Sequence, residues 1–147
     1  DVEAGGGATG SGEATAITAA ETGHLVFSTL HTIGAASTVD RIIDVFPPHQ
    51  QQQIRFQLAN VLDAVISQQL LPSINGRERV AAFEVLHVNG AVRNMIRESK
   101  THQLITVMQT GRRLGMITMD EAIIQLYQKK KITKERSLSP ANLYLCK

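Results

Sequence analysis

Thr22-Gly23-His24-Leu25-Val26-Phe27-Ser28-Thr29-Leu30-His31-Thr32 is the stretch on which the reading of this 147-residue chain turns. Residues 15–22 have a helical composition, and Gly23 stands where a left-handed residue closes a helix. Leu25, Val26 and Phe27, followed by Ser28, Thr29 and Leu30, form a short apolar run without strict alternation, the pattern of a strand buried in a parallel sheet. Helix, left-handed cap and buried strand in succession predict an α/β fold.

A histidine stands at each end of this strand. If the strand runs the whole way, about 3.3 Å per residue separates His24 from His31 by roughly 23 Å and the odd spacing puts them on opposite faces, which then excludes a shared metal ion. Ligands of open α/β sheets gather outside the carboxyl ends of the strands, so His31, with Thr29 and Thr32, is the better candidate for facing a bound phosphate. The pattern alone leaves a second reading open, two ordinary hydrogen-bonded histidines.

Downstream, Val39, Ile42, Ile43 and Phe46 recur at helical spacing until Pro47-Pro48, which cannot continue a helix. The next helix starts near His49 and runs through four glutamines, with Ile54, Leu58, Val61, Leu62 and Val65 on one stripe and Pro72 beyond its end. Residues 70–74 and 77–88 read as two strands around Asn75-Gly76, which supplies the positive φ of a tight turn. After Asn89 the pattern is helical: Val92, Met95 and Ile96 mark one helix, and Leu104, Val107 and Met108 mark another that starts near Ser99. Thr118 and Glu121 have capping-box spacing and open a helix lined by Ala122, Ile123, Leu126 and Tyr127. From Arg136 onward no period is visible. Asp40 and Asp44, four apart beside Arg41, mark a solvated face.

Composition narrows the function classes. Cys146 is the lone cysteine, which rules out a disulfide framework or a multi-cysteine zinc site within the chain and suits a reducing compartment. No apolar run approaches the roughly 20 residues that span a bilayer, and no signal peptide opens the chain, so a soluble cytoplasmic protein is expected. A net charge of +2 is too small to drive nucleic-acid binding, and with 4% aromatic residues a stacking platform has little to build on. Lys129, Lys130, Lys131 and Lys134 follow a helical pattern and read as cations favoured at a helix C-terminus.

Preceded by ITAAE, TGHLVFSTLHT closely resembles the "His box" of the secretion and pilus ATPase superfamily. The likeness continues through AASTVDRIIDVFPPHQQQQIRFQLANVLDAVISQQLLP, RVAAFEVL, AVRNMIRE and QTGRRLGMITMDEAI, about residues 15–134. The resemblance implies that His24 and His31 line a nucleotide site and report its phosphate state to a ring. Ala91-Val92-Arg93-Asn94-Met95-Ile96-Arg97-Glu98 resembles the AIRNLIRE motif that the retraction ATPases need for retraction. There Val92, Met95 and Ile96 would face inward, while Arg93 and Arg97, one turn apart, present guanidinium forks outward to partners across an interface. Arg93, Asn94, Arg97 and Glu98 are thus the candidate output residues, although spacing alone also fits a solvated basic face. Many assembly and secretion members carry two CxxC pairs after the long helix; here the place reads Leu70-Leu71-Pro72-Ser73-Ile74-Asn75-Gly76, which favours the PilT-type retraction branch.

Residues 7–15 line up with the phosphate-binding loop GxxxxGK(S/T), with Gly7, Gly10 and Gly12 as the backbone cradle. Glu13 occupies the lysine position. A charge pair 4 Å apart is worth about 4 kcal/mol at an effective dielectric of 20, so reversing one sign weakens phosphate binding strongly. Ala14 also lacks the metal-binding hydroxyl. A decayed loop and a flexible glycine-rich linker both fit. The acidic Walker B strand and the water-activating carboxylate of the family have no counterpart, so the resemblance implies a truncated or internally deleted form or a piece of a longer chain.

The expected division is a glycine-rich segment or degenerate phosphate loop at 1–14, the remainder of a RecA-like ATPase core at 15–88, and a helical C-terminal domain at 89–147. The resemblance implies part of a hexameric, ATP- and Mg-dependent motor for type IV pilus retraction, on the cytoplasmic side of the inner membrane against a pilus platform protein. It implies neither nucleic acid nor a metal cluster. Alone, the chain is expected not to hydrolyse ATP and to bind it weakly or not at all. The alternatives are a non-hydrolysing interaction module of the same family and a fragment of a secretion or pilus assembly ATPase.

Overall fold

Gly23 has φ 90° and closes the first helix where its sequence position indicated. In the computed structural model, which describes residues 2–4 and 10–137, that helix is α1, Gly10–Glu21. It begins five residues before the expected Thr15 and takes in Gly10, Gly12, Glu13 and Ala14. Glu13 in its first turn suits the positive end of the helix dipole. The Thr15 and Thr18 hydroxyls donate back to the carbonyls of Ser11 and Ala14, both at 2.9 Å.

The expected buried strand is shorter and lies on the surface. β1, Val2–Ala4, pairs in parallel with β2, Val26–Ser28, in the register Val2↔Val26 to Ala4↔Ser28. Leu25 is 58% exposed and Phe27 63%. A parallel sheet buries its strands only where helices cover both faces, and these side chains meet no such cover among the described residues.

Pro47-Pro48 ends α2, Ala35–Asp44, and also opens α3, Pro48–Val61, because proline at the first helical position has no amide to leave unpaired. α3 stops earlier than the stripe suggested: Leu62 is extended (ψ 128°), and Val65, expected on the helix, belongs to β3, Ala64–Pro72. Two features override the helical reading there. Residues 64–72 alternate between buried and exposed, and they pair antiparallel over nine residues with β4, Arg79–His87, from Ala64↔His87 to Pro72↔Arg79. Gly76 has φ 69° within the connection, whose ends are joined by the Ser73 amide donating to the Glu78 carbonyl at 2.8 Å.

The remaining elements are helical. Asn89 caps α4, Gly90–Arg97, its Oδ1 accepting the Val92 amide at 3.0 Å. A 3-10 turn, Thr101–Gln103, leads into α5, Leu104–Thr110; α6, Met119–Gln128, and α7, Lys134–Ser137, follow. Helix thus continues through Ser137, past the Arg136 at which periodicity was lost; residues 138–147, with Cys146, lie outside the described residues. The Thr118–Glu121 capping box is only half used. Thr118 Oγ1 accepts the Glu121 amide at 3.3 Å, while the Glu121 carboxylate turns to the Arg112 guanidinium, with Nε at 3.0 Å.

Two apolar clusters form the interior. In the first, Val39 and Ile43 of α2, Leu58 of α3, Val65 and Leu86 of the hairpin, Ile96 of α4 and Leu104 of α5 pack together, so it draws on residues on both sides of position 88. The second gathers Leu71, Ala82, Met119, Ala122, Ile123 and Ile132. Asp40 is not part of a solvated face: it is half-buried and accepts the buried Thr101 hydroxyl at 2.8 and 3.0 Å, pinning α2 to the turn before α5. Asp44 is exposed. Among the described residues no helix is long and apolar enough to cross a membrane.

Candidate functional site

Residues 24–32 leave α1, run through β2 and bend toward α2. Of the seven-residue strand assumed between the histidines, only Val26–Ser28 is strand, and His31 lies in a bend beyond it. His24 Nδ1 stands 3.1 Å from Thr22 Oγ1 and 3.2 Å from the Ala19 carbonyl, so its ring closes the end of α1. Thr29 and His31 are exposed. Thr32 is held differently. Thr38 donates its hydroxyl proton to the Gly34 carbonyl at 2.8 Å, so the 2.7 Å contact between Thr32 and Thr38 has Thr32 as donor. Thr32 is therefore anchored to α2, while Thr29 and His31 stand exposed beyond the strand. Among the described residues no three of His, Cys, Asp and Glu stand together as metal ligands.

Gly10, Gly12, Glu13 and Ala14 lie in α1 and not in a loop, and Gly7 falls outside the described residues. One Glu13 carboxylate oxygen is buried without a hydrogen-bond partner among the described residues. Glu13 is half-buried, and its negative charge in the first turn of the helix repels a phosphate there. Ala14 offers no hydroxyl. Gly10, Gly12, Glu13 and Ala14 by themselves do not fit a magnesium–nucleotide site.

Arg93 and Arg97 do not project as free forks. Arg93 Nη1 donates to the carbonyls of Ala59 at 2.6 Å and Asn60 at 2.9 Å, at the C-terminal end of α3. Arg97 donates to the Asn60 side-chain oxygen and lies 6.0 Å above the Phe56 ring. The correction follows from the helix terminus: carbonyls left without intrahelical donors draw the nearest cations. Asn94 is exposed, and Glu98 is exposed with Lys100 at 2.6 Å. Half of the motif therefore grips α3 and half faces outward. Lys129, Lys130 and Lys131 are exposed after α6, where Lys130 takes the left-handed conformation (φ 54°).

Glu84 escaped the sequence reading. It is 6% exposed, and its carboxylate oxygens accept the Ala35 amide at 2.6 Å and the Met119 amide at 3.0 Å. The signal was present in RVAAFEVL, where a charge shares parity with Ala82 and Leu86 on the inward face of a strand.

The sequence profile of the family described as "Type II/IV secretion system protein" matches residues 9–141. A "Twitching motility protein" of Neisseria gonorrhoeae is 54% identical over 120 residues, 82% of this chain and 32% of that protein. The "Type IV pilus retractation ATPase PilT" of Pseudomonas aeruginosa is 47% identical over 128 residues, 87% of this chain and 37% of its own length. Among solved structures, the one described as "Crystal Structure of the Pilus Retraction Motor PilT and Bound ADP" superposes with a TM-score of 0.76 at 45% identity, covering 90% of this chain and 38% of that one. The chain thus spans about a third of the length of the relatives it matches.

Proposed function

The chain belongs to the type II/IV secretion system protein family, and from that membership we propose that it is the C-terminal part of a type IV pilus retraction motor. The observation that carries this reading is the 45% identity and 0.76 TM-score, over 90% of the chain, to a retraction motor described with bound ADP. In this reading residues 15–88 end a RecA-like core and residues 89–147, of which 138–147 lie outside the described residues, make up its output domain. The motor is an ATP-driven hexamer at the cytoplasmic face of the inner membrane, acting on a pilus platform protein.

Within it, Thr29 and His31 meet the phosphates of a nucleotide, a role that their exposure beyond β2 supports. His24 reports from the other end of the segment through its hold on α1. Arg93 and Arg97 carry movement of α4 into α3 through the bonds at Ala59 and Asn60. Asn94 and Glu98 stay available to a neighbouring subunit. Magnesium and ATP supply phosphoryl-transfer chemistry in the intact family; here Glu13 and Ala14 deny the phosphates their lysine and the metal its hydroxyl, so the chain does not turn over ATP by itself.

One observation favours a second reading, a non-hydrolysing module that joins a ring: Gly10, Gly12, Glu13 and Ala14 are built into α1. A titration with MgATP and MgADP, followed at the His31 imidazole by NMR, separates the two. A saturable, magnesium-dependent shift at submillimolar nucleotide supports the motor reading. A silent His31 at several millimolar nucleotide removes the nucleotide-facing role and leaves the module, whose ring assembly a sizing measurement then reads.

A further inference from the structure

The inward face of the β3–β4 hairpin carries one ionisable side chain. Ala82, Glu84 and Leu86 point inward on β4, Ser67 stands opposite Glu84, and the Val65↔Leu86 pair follows beside it. Glu84 sits at the seam of the two apolar clusters: Val65 and Leu86 belong to one, Leu71 and Ala82 to the other. A carboxylate in such a place is tolerated only when its oxygens accept hydrogen bonds. The donors are the first amides of two helices, Ala35 of α2 and Met119 of α6. Both are amides without an intrahelical acceptor, at the positive ends of helix dipoles.

Neither helix serves that amide from its own N-cap residue. Gly34 has no side chain, and the Thr118 hydroxyl serves the Glu121 amide. Glycine at position 34 suits the backbone before α2, since its φ of 93° is one that side-chain-bearing residues rarely adopt, while a Cβ there would make only an ordinary contact with Glu84 Oε1 at 3.6 Å. The α2 start is in turn four residues from His31, with Thr32 bonded to Thr38 between them.

We propose that Glu84 is a positioning residue: its carboxylate ties the segment around His31 to α6, so that a displacement at the start of either helix is felt at the start of the other. The tie stands on the two hydrogen bonds; its use in a motor rests on the nucleotide-facing reading of His31. Glu84→Gln keeps the shape but turns one acceptor into an NH2 group facing an amide, which severs one arm. Aspartate, a methylene shorter, cannot span both.

The test is amide-resolved NMR on the chain. Thr118→Ala loosens the start of α6 and should shift the Ala35 amide; in a Glu84→Gln background the shift at Ala35 should vanish while that at Glu121 persists. Amide exchange gives a reading that needs only the threonine variant: Thr118→Ala should speed exchange at Met119 and Ala35 by the same factor. A response at Met119 alone, or transmission that survives Glu84→Gln unchanged, overturns the proposal. MgADP reads the reverse direction, moving the Met119 amide in the native chain and not in Glu84→Gln, with the His31 response retained. If His31 ignores MgADP while Thr118→Ala still reaches Ala35, the nucleotide reading fails and the tie stands.

Discussion

The Arg93 guanidinium donates to the carbonyl of Ala59 at 2.6 Å, so the end of α3 is closed from a helix 34 residues further along the chain. Ala59 is fully buried, and its carbonyl belongs to the last turn of α3, where intrahelical donors run out. The motif that spacing suggested as an outward patch is thus in part an internal cap.

Arg93→Ala should lower stability by about 1–3 kcal/mol, because it leaves two carbonyls of α3 without their charged donor. Arg93→Lys should recover part of the loss, since an ammonium is a point donor and lacks the planar fork. Urea unfolding reads this as a lower midpoint at unchanged slope. A native midpoint for Arg93→Ala would show that the cap contributes nothing.

Gly111 is a packing requirement. A Cβ there would meet Met116 Sδ at 2.7 Å and the Val107 carbonyl at 3.0 Å. Gly111→Ala should cost about 1–3 kcal/mol by overpacking, although glycine-to-alanine changes at open sites stabilise. Combined with Met116→Ala, which removes the clashing sulfur, the loss should fall short of the sum of the two single losses. Strict additivity in thermal or urea unfolding would contradict the contact.

The half-used capping box predicts unequal partners. Thr118→Ala removes the hydroxyl that accepts the Glu121 amide and should cost about 1 kcal/mol. Glu121→Gln removes a pair with Arg112, whose side chain is 70% exposed, and should cost less than about 1 kcal/mol, diminishing in high salt. Equal costs would restore the reciprocal box.

Leu25 and Phe27 contribute little to the fold that this chain makes by itself. Leu25→Ser and Phe27→Ser should shift stability by no more than about 0.5 kcal/mol, as for other surface positions. Their effect should appear in sedimentation velocity as weaker self-association, because exposed apolar patches promote it. A loss of several kcal/mol would mean that the strand is covered after all.

What the sequence determined by itself is where local chemistry closes on itself. Gly23, Pro47-Pro48, Asn89 and Thr118 mark helix limits because a positive φ, a missing amide or a capping side chain acts within a few residues. The family was equally legible, since it rests on runs of residue identity. Val65 was misread because the apolar positions of residues 54–65 fit a helix stripe, and the strand pairing that decides the matter lies in β4. Tertiary structure alone decided what Glu84, Asp40 and Arg93 meet. Glu84 finds amides 49 and 35 residues away, Asp40 a hydroxyl 61 away and Arg93 a carbonyl 34 away. Periodicity names the face on which a side chain stands; the partner across from it is set by how the chain returns, and that depends on the whole fold.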